Sequence, residues 1–239
     1  DRGGEAIQQL EGRPACLIRF LPGVSLSHPT PAQALAAGEA LAQMHRAVGD
    51  FALTRPNTMG VDTWRPLFER CGRSLDGIAP GLHDALDRAL GHVLAAWPRD
   101  TLDLCAIHAD LFPDNVLMRG DQVSGLIDFY FACTDVRVFD LAITHTAWSF
   151  DASGARYDAA IGDALFAGYE RHFPLSPAER DAFPTLAAGA CLRFALSRAW
   201  DWLNTPADAL VTRKDPLAYL RRLGHYAPDL LPQHMKNHA

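Results

Sequence analysis

Apolar residues along this chain recur mostly at helical spacing, and only in short places at strand spacing. The stretch from Pro31 sets Leu35, Leu41, Met44 and Val48 on one face, with alanines at the close positions. That pattern predicts an amphipathic helix with proline in its first turn. His45 on this helix is expected as a packed or capping residue, not a ligand. Two further helices are predicted over 64–76 and 80–97. The second has Leu82, Leu86, Leu90, Val93 and Leu94 in register and stops at Pro98. The C-terminal third predicts helices over 160–173 and 176–203. The latter opens with a Ser176–Glu179 capping box around Pro177 and is expected to split at Pro184. A last short helix falls within 214–230.

Four short runs read as strands. Ala15 to Phe20 is apolar and closed by Pro22-Gly23, and 102–108 ends by delivering His108 and Asp110. Residues 116–118 and 123–127 meet at Gly120-Asp121, a hairpin turn signal. The segment 130–150 begins as a loop and turns helical near Val138. The mixture predicts an α+β fold, mainly helical, with no repeat or low-complexity segment.

With 239 residues, 49% of them apolar and 21% charged, the chain can bury a sizeable core. Its net charge of −6 argues against a general nucleic-acid or anionic-membrane surface. Cys16, Cys71, Cys105, Cys133 and Cys191 are scattered and never form C-x-x-C. They read as buried thiols of a reducing compartment. No apolar run reaches membrane-spanning length, since 186–196 is broken by Arg193, and the opening DRGGE is no signal peptide. The cytoplasm is the expected location. Without Met at its start, the chain reads as processed or as a fragment. All but two of its 22 basic residues are arginine, the lysines being Lys214 and Lys236.

Candidate chemistry concentrates between His108 and Phe129, in HADLFPDNVLMRGDQVSGLIDF. Pro113 fixes the loop between Asp110 and Asn115. Asn115 begins one predicted strand and Asp128 ends its partner, so a tight hairpin gathers both with Asp110 at one rim. Phosphoryl transfer from ATP needs that set. A carboxylate must orient or deprotonate the attacking hydroxyl, and an Asp plus an amide oxygen must hold Mg²⁺ between phosphates. The competing reading is of acidic residues that merely cap turns. Spacing, loop chemistry and strand context together weigh against it. With Asp110 at the base position, His108 is expected to brace the loop backbone.

His108-x-Asp110-x4-Asn115 followed by Asp128-Phe129 resembles the catalytic and metal loops of protein-kinase-like enzymes. Tyr130 stands where protein kinases have Gly, and Ala109 where they have Arg. Those departures point to small-molecule kinases of the aminoglycoside phosphotransferase and choline kinase type. Within that superfamily, HADLFPDNVLMRG with GLIDFYFACTD closely resembles the homoserine kinases, supported by 41–47, 192–203 and 211–223. The resemblance covers essentially the whole chain. It implies a protein-kinase-like fold in which 1–24 is a remnant of the N-lobe strands and hinge, and 25–239 the helical C-lobe. It implies ATP and Mg²⁺, and phosphorylation of the L-homoserine hydroxyl on the way to threonine. Asp110 and Asn115 would be catalytic, Asn115 and Asp128 metal ligands, and Arg19, Phe20 and Leu21 the hinge contact to adenine. Asp140 would be either a buried anchor for the catalytic loop or a helix N-terminal charge favoured by the macrodipole.

The same resemblance calls for a Gly-rich phosphate cover and a strand-borne Lys upstream, and no Lys precedes His108. Lys214, beyond the 176–203 helix, is not expected to replace it. These residues alone are therefore expected to be inactive and to self-associate through an unpaired strand edge. An amino-acid acceptor needs a guanidinium fork for its carboxylate and a carboxylate or aromatic face for its ammonium. The helix with Arg193, Arg198, Asp201 and Trp202 offers both, and Tyr130 and Trp148 would close the pocket. Arg198 and Asp201 are alternatively an internal ion pair. Other acceptors remain open: a choline site would use aromatics without Arg, an aminoglycoside site many carboxylates. A kinase-like binding module without activity is the alternative of a different class.

Overall fold

A computed structural model describes residues 6–98, 101–206, 209–210 and 213–231; Val211, Thr212 and Lys236 lie outside them. Helix α1 (Pro31–Ala47) starts at Thr30, whose hydroxyl accepts from Gln33 N while the Gln33 side chain returns to Thr30 N. Then come α2 (Val61–Cys71), a 3₁₀ turn over Gly72–Gly77, and α3 (Leu82–Ala96). The C-terminal half holds α4 (Arg137–Trp148), α5 (Ala159–His172), α6 (Pro177–Asn204) and α7 (Leu217–Tyr226). The expected split at Pro184 does not occur: α6 runs unbroken for 28 residues. Proline removes one backbone donor, but Phe183, Leu186 and Ala187 are buried beside it. Their packing outweighs the lost bond.

Helices α1 and α5 pack backbone against backbone. A Cβ on Gly38 would collide with the Leu165 carbonyl, and one on Gly168 with that of Leu35. Every residue of α4 is buried, and so is the 186–196 run of α6. These two helices form the centre of the molecule, with Trp97 meeting both Trp64 and Phe139 edge to face. No described helix is long and apolar enough to cross a membrane.

Among the described residues six short strands pair two by two, all antiparallel: β1 (Gln8–Leu10) with β2 (Arg13–Ala15), β3 (Leu104–Ile107) with β6 (Cys133–Val136), and β4 (Val116–Arg119) with β5 (Gln122–Leu126). The strand expected over Ala15 to Phe20 is not found. The hairpin turns earlier, at Glu11-Gly12, and its second strand stops at Ala15. Beyond it Leu17 is 101% exposed and Phe20 87%. An apolar run becomes a strand only beside a partner ladder, and among the described residues none lies alongside. The segment rejoins the fold at Val24, which exchanges two backbone hydrogen bonds with Met118 of β4, at 3.0 and 2.9 Å. Cys16, expected to be buried, is exposed on this same segment, whereas Cys71, Cys133 and Cys191 are buried. Burial pushes the Cys105 and Cys133 thiols up to about 12, which leaves them inert.

Candidate active site

The loop after β3 is held from beneath. Asp140, fully buried in the first turn of α4, accepts the His108 N–H at 2.7 Å and the Ala109 N–H at 2.8 Å. His45 of α1 reaches the same carboxylate at 3.0 Å and the Tyr169 hydroxyl at 2.8 Å. Tyr169 in turn accepts from Arg137 at 2.9 Å. Burial alone would push the Asp140 carboxyl up. The hydrogen bond and charge of His45, with the backbone hydrogen bond from His108, hold it below the usual range. Of the two readings open for Asp140, these contacts describe the anchor. His45 is a packed residue, as expected.

Ala109 adopts φ 63°, a left-handed conformation that costs a non-glycine residue energy. It is clamped on both sides, its N–H by Asp140 and its carbonyl by the Arg193 guanidinium. His108 donates through Nε2 to the Ile127 carbonyl at 2.9 Å and accepts the Asp110 N–H on Nδ1 at 3.3 Å. Both ring nitrogens are thus committed to backbone. Burial pushes the Asp110 carboxyl up, against the charges of Arg193 and Lys214.

The β4–β5 hairpin aligns the other two groups. Gly120, at φ 61°, makes its two-residue turn with Asp121, and Val116 pairs with Leu126. The Ile127 N–H donates to the Asn115 carbonyl at 3.0 Å, bringing Asn115 and Asp128 side by side. Asn115 Nδ2 donates to the Asp110 carbonyl at 2.8 Å, so its Oδ1 is the atom left for a cation. Asp110, Asn115 and Asp128 line one cavity of about 280 Å³, together with Phe131, Ser197, Arg198, Asp201 and Lys214. A second cavity of about 400 Å³ shares Asp110 and Asp201 and adds Leu67, Arg70, Arg193 and Trp200. Among the described residues, no three His, Cys, Asp or Glu side chains gather as a metal site.

The remaining expected residues divide. Arg193 is only 2% exposed, and its Nη1 braces the loop through the Ala109 carbonyl, while the residue also lines the second cavity. Arg198 does not pair with Asp201; it donates to the Asp215 carbonyl at 3.2 Å and lies over Tyr219. Trp148 is buried, donates to the Leu111 carbonyl at 2.9 Å and lines neither cavity. Tyr130 is 71% exposed, with its carbonyl bound by Arg55, and Trp202 lies under Arg213. Neither lines the two cavities. Leu21 packs on Gly125 of β5. Arg19, Phe20 and Leu21 make no backbone hydrogen bond among the described residues. Sequence reasoning passed over Arg70 and set Lys214 apart from the site. Lys214 had one usable signal, being one of two lysines in an arginine-rich chain.

Comparison with known proteins matches residues 2–175 to the phosphotransferase enzyme family (APH). A homoserine kinase from Gluconacetobacter diazotrophicus is 53% identical over 93% of this chain and 69% of its own length. One from Gluconobacter oxydans is 51% identical over 95% of this chain and 72% of its own. The crystal structure of an aminoglycoside phosphotransferase from Alicyclobacillus acidocaldarius superposes with TM-score 0.61, over 94% of this chain and 71% of that one. At 17% identity that likeness is one of fold, and it agrees with the mostly helical α+β kinase-like architecture seen here. With its catalytic loop, hairpin rim and half-identical relatives, the chain belongs to the phosphotransferase enzyme family and, within it, to the homoserine kinases.

Proposed function

We propose that the protein transfers the γ-phosphoryl group of ATP to the side-chain hydroxyl of L-homoserine, giving O-phospho-L-homoserine. One observation carries this reading: Asp110, Asn115 and Asp128 line a single cavity in a chain about half identical to homoserine kinases. Asp110 orients the acceptor hydroxyl and takes its proton. The acceptor oxygen bonds to phosphorus as the γ-phosphorus–oxygen bond breaks, and ADP leaves with the bonding electrons.

Asn115 Oδ1 and the Asp128 carboxylate would hold Mg²⁺. They are hard oxygen donors, and Mg²⁺ takes few protein ligands because it keeps waters and phosphate oxygens. When bound, it neutralises charge on the β- and γ-phosphoryl oxygens. Arg198 and Asp201 line the same cavity as Asp110 and suit the carboxylate and ammonium of the acceptor. The hinge residues Arg19 to Leu21, with their unused backbone groups, receive the adenine edge.

The test is ³¹P NMR of the natural full-length protein with Mg·ATP and a panel of homoserine, choline and an aminoglycoside. A new phosphomonoester signal with homoserine supports the proposal. Preferential phosphorylation of either other acceptor overturns it.

A further inference from the structure

Lys214 lies in the connection between α6 and α7, and that connection is pinned around it. Asp215 Oδ1 caps α7 by accepting the Leu217 N–H at 2.8 Å, and its Oδ2 pairs with Arg221 at 3.3 Å. Its carbonyl accepts from Arg198. On the other side, Arg213 donates to the Thr205 carbonyl at the end of α6. The backbone at Lys214 is therefore held, while its side chain lines the cavity of Asp110, Asn115 and Asp128. Its ammonium lies 5.9 Å from the centre of the Phe112 ring, two residues past Asp110.

Four carboxylates line that cavity (Asp110, Asp114, Asp128 and Asp201) against two cations, Arg198 and Lys214. Among the described residues Lys214 forms no ion pair with any of them. Such a wall repels an anionic phosphoryl group unless cations face it. Arg198 is anchored to Asp215, and the acceptor's carboxylate is its natural ligand. Lys214 is a compact point charge with three donors, suited to a group whose oxygens move during reaction. It is absent from the second cavity, where Arg70 stacks on Trp200. It lines the cavity of the metal pair and Asp110 instead.

We infer that Lys214 is a catalytic residue that contacts the γ-phosphoryl group of the nucleotide as it passes to the acceptor. This rests on the phosphotransfer reading above. A charge-assisted contact of this kind is worth on the order of 10- to 100-fold. In the full-length protein, Lys214→Ala should lower kcat/KM for ATP by about that factor. The KM for homoserine should stay within about threefold, a change too small to represent a lost charged contact, and Lys214→Arg should recover most of the loss. A rise in the KM for homoserine with kcat/KM for ATP unchanged would assign Lys214 to the acceptor carboxylate and overturn the inference. So would no change in either.

Calorimetry decides the matter even if the wild type does not phosphorylate homoserine, in which case the functional reading fails by itself. Lys214→Ala should weaken Mg·ATP at least about tenfold and leave Mg·ADP unchanged. Equal loss for both nucleotides, or for neither, overturns the assignment.

Discussion

Replacing Asp140 by asparagine removes the charge beneath the catalytic loop while keeping nearly the same shape. The carboxylate accepts from three donors: the His108 N–H, the Ala109 N–H and His45 Nε2. An amide offers one oxygen. In its better orientation that oxygen keeps His108 and His45, and its NH₂ group then faces the Ala109 N–H. One buried backbone donor is left without a partner, costing about 1–3 kcal/mol. The two surviving bonds lose their charge assistance, about 1 kcal/mol each. The total of about 3–5 kcal/mol is a large part of the 5–15 kcal/mol by which a domain is stable.

Urea unfolding followed by circular dichroism measures this, with Asp87→Asn as control. The Asp87–Arg65 pair lies at the surface and should be worth less than about 1 kcal/mol. Because the Asp140 carboxyl titrates below its ordinary range when folded, its contribution is complete above the unfolded value of ~3.9. It is lost as pH falls through the folded value. The gap between wild type and variant should therefore narrow in strong acid. A loss below about 1 kcal/mol at pH 7, or a gap that persists in acid, would refute the anchor.

Asp128→Ala should weaken Mg·ATP binding and Asn115→Ala should do so less, since only the first removes a full charge from the metal; titration calorimetry with and without Mg²⁺ separates them. Arg198→Ala should raise the KM for homoserine strongly and leave that for ATP unchanged, and an unaltered homoserine KM would remove the carboxylate from Arg198. Burial pushes Asp110 up, and a base works only when deprotonated. Activity should therefore fall on acidification already above the ordinary carboxylate value of ~3.9, and a pH–rate profile flat down to that value would contradict the base assignment.

The parts legible in the sequence were those with local punctuation. Pro31 marked the start of α1, and Gly120-Asp121 the turn of the hairpin, which fixed Asn115 beside Asp128. The rest depended on neighbours distant in the chain. Ala15 to Phe20 has strand composition, but a strand is a property of two segments, and no described segment pairs with it beyond Ala15. Pro184 is a helix breaker whose effect is overridden by the packing of Phe183 and Leu186. No face of α4 could be singled out for the site, because all its residues are buried. Trp148 therefore looked available to the site, yet it lines neither cavity at Asp110. Arg193 read as a substrate fork because periodicity cannot tell that a helical charge points under a loop carbonyl. Lys214 looked remote because its sequence position lies past α6, yet the turn into α7 carries it back to Asp110's cavity.

The central claim is that Asp110 is the base of a phosphoryl transfer whose nucleotide is held by other residues. The direct measurement compares wild type with Asp110→Asn in the full-length protein, scoring homoserine-dependent ADP release and Mg·ATP affinity together. Loss of the base should lower kcat by about 10²- to 10⁴-fold and leave nucleotide affinity nearly unchanged. A variant that keeps near-normal kcat, or that loses ATP binding in proportion to its rate, would contradict it.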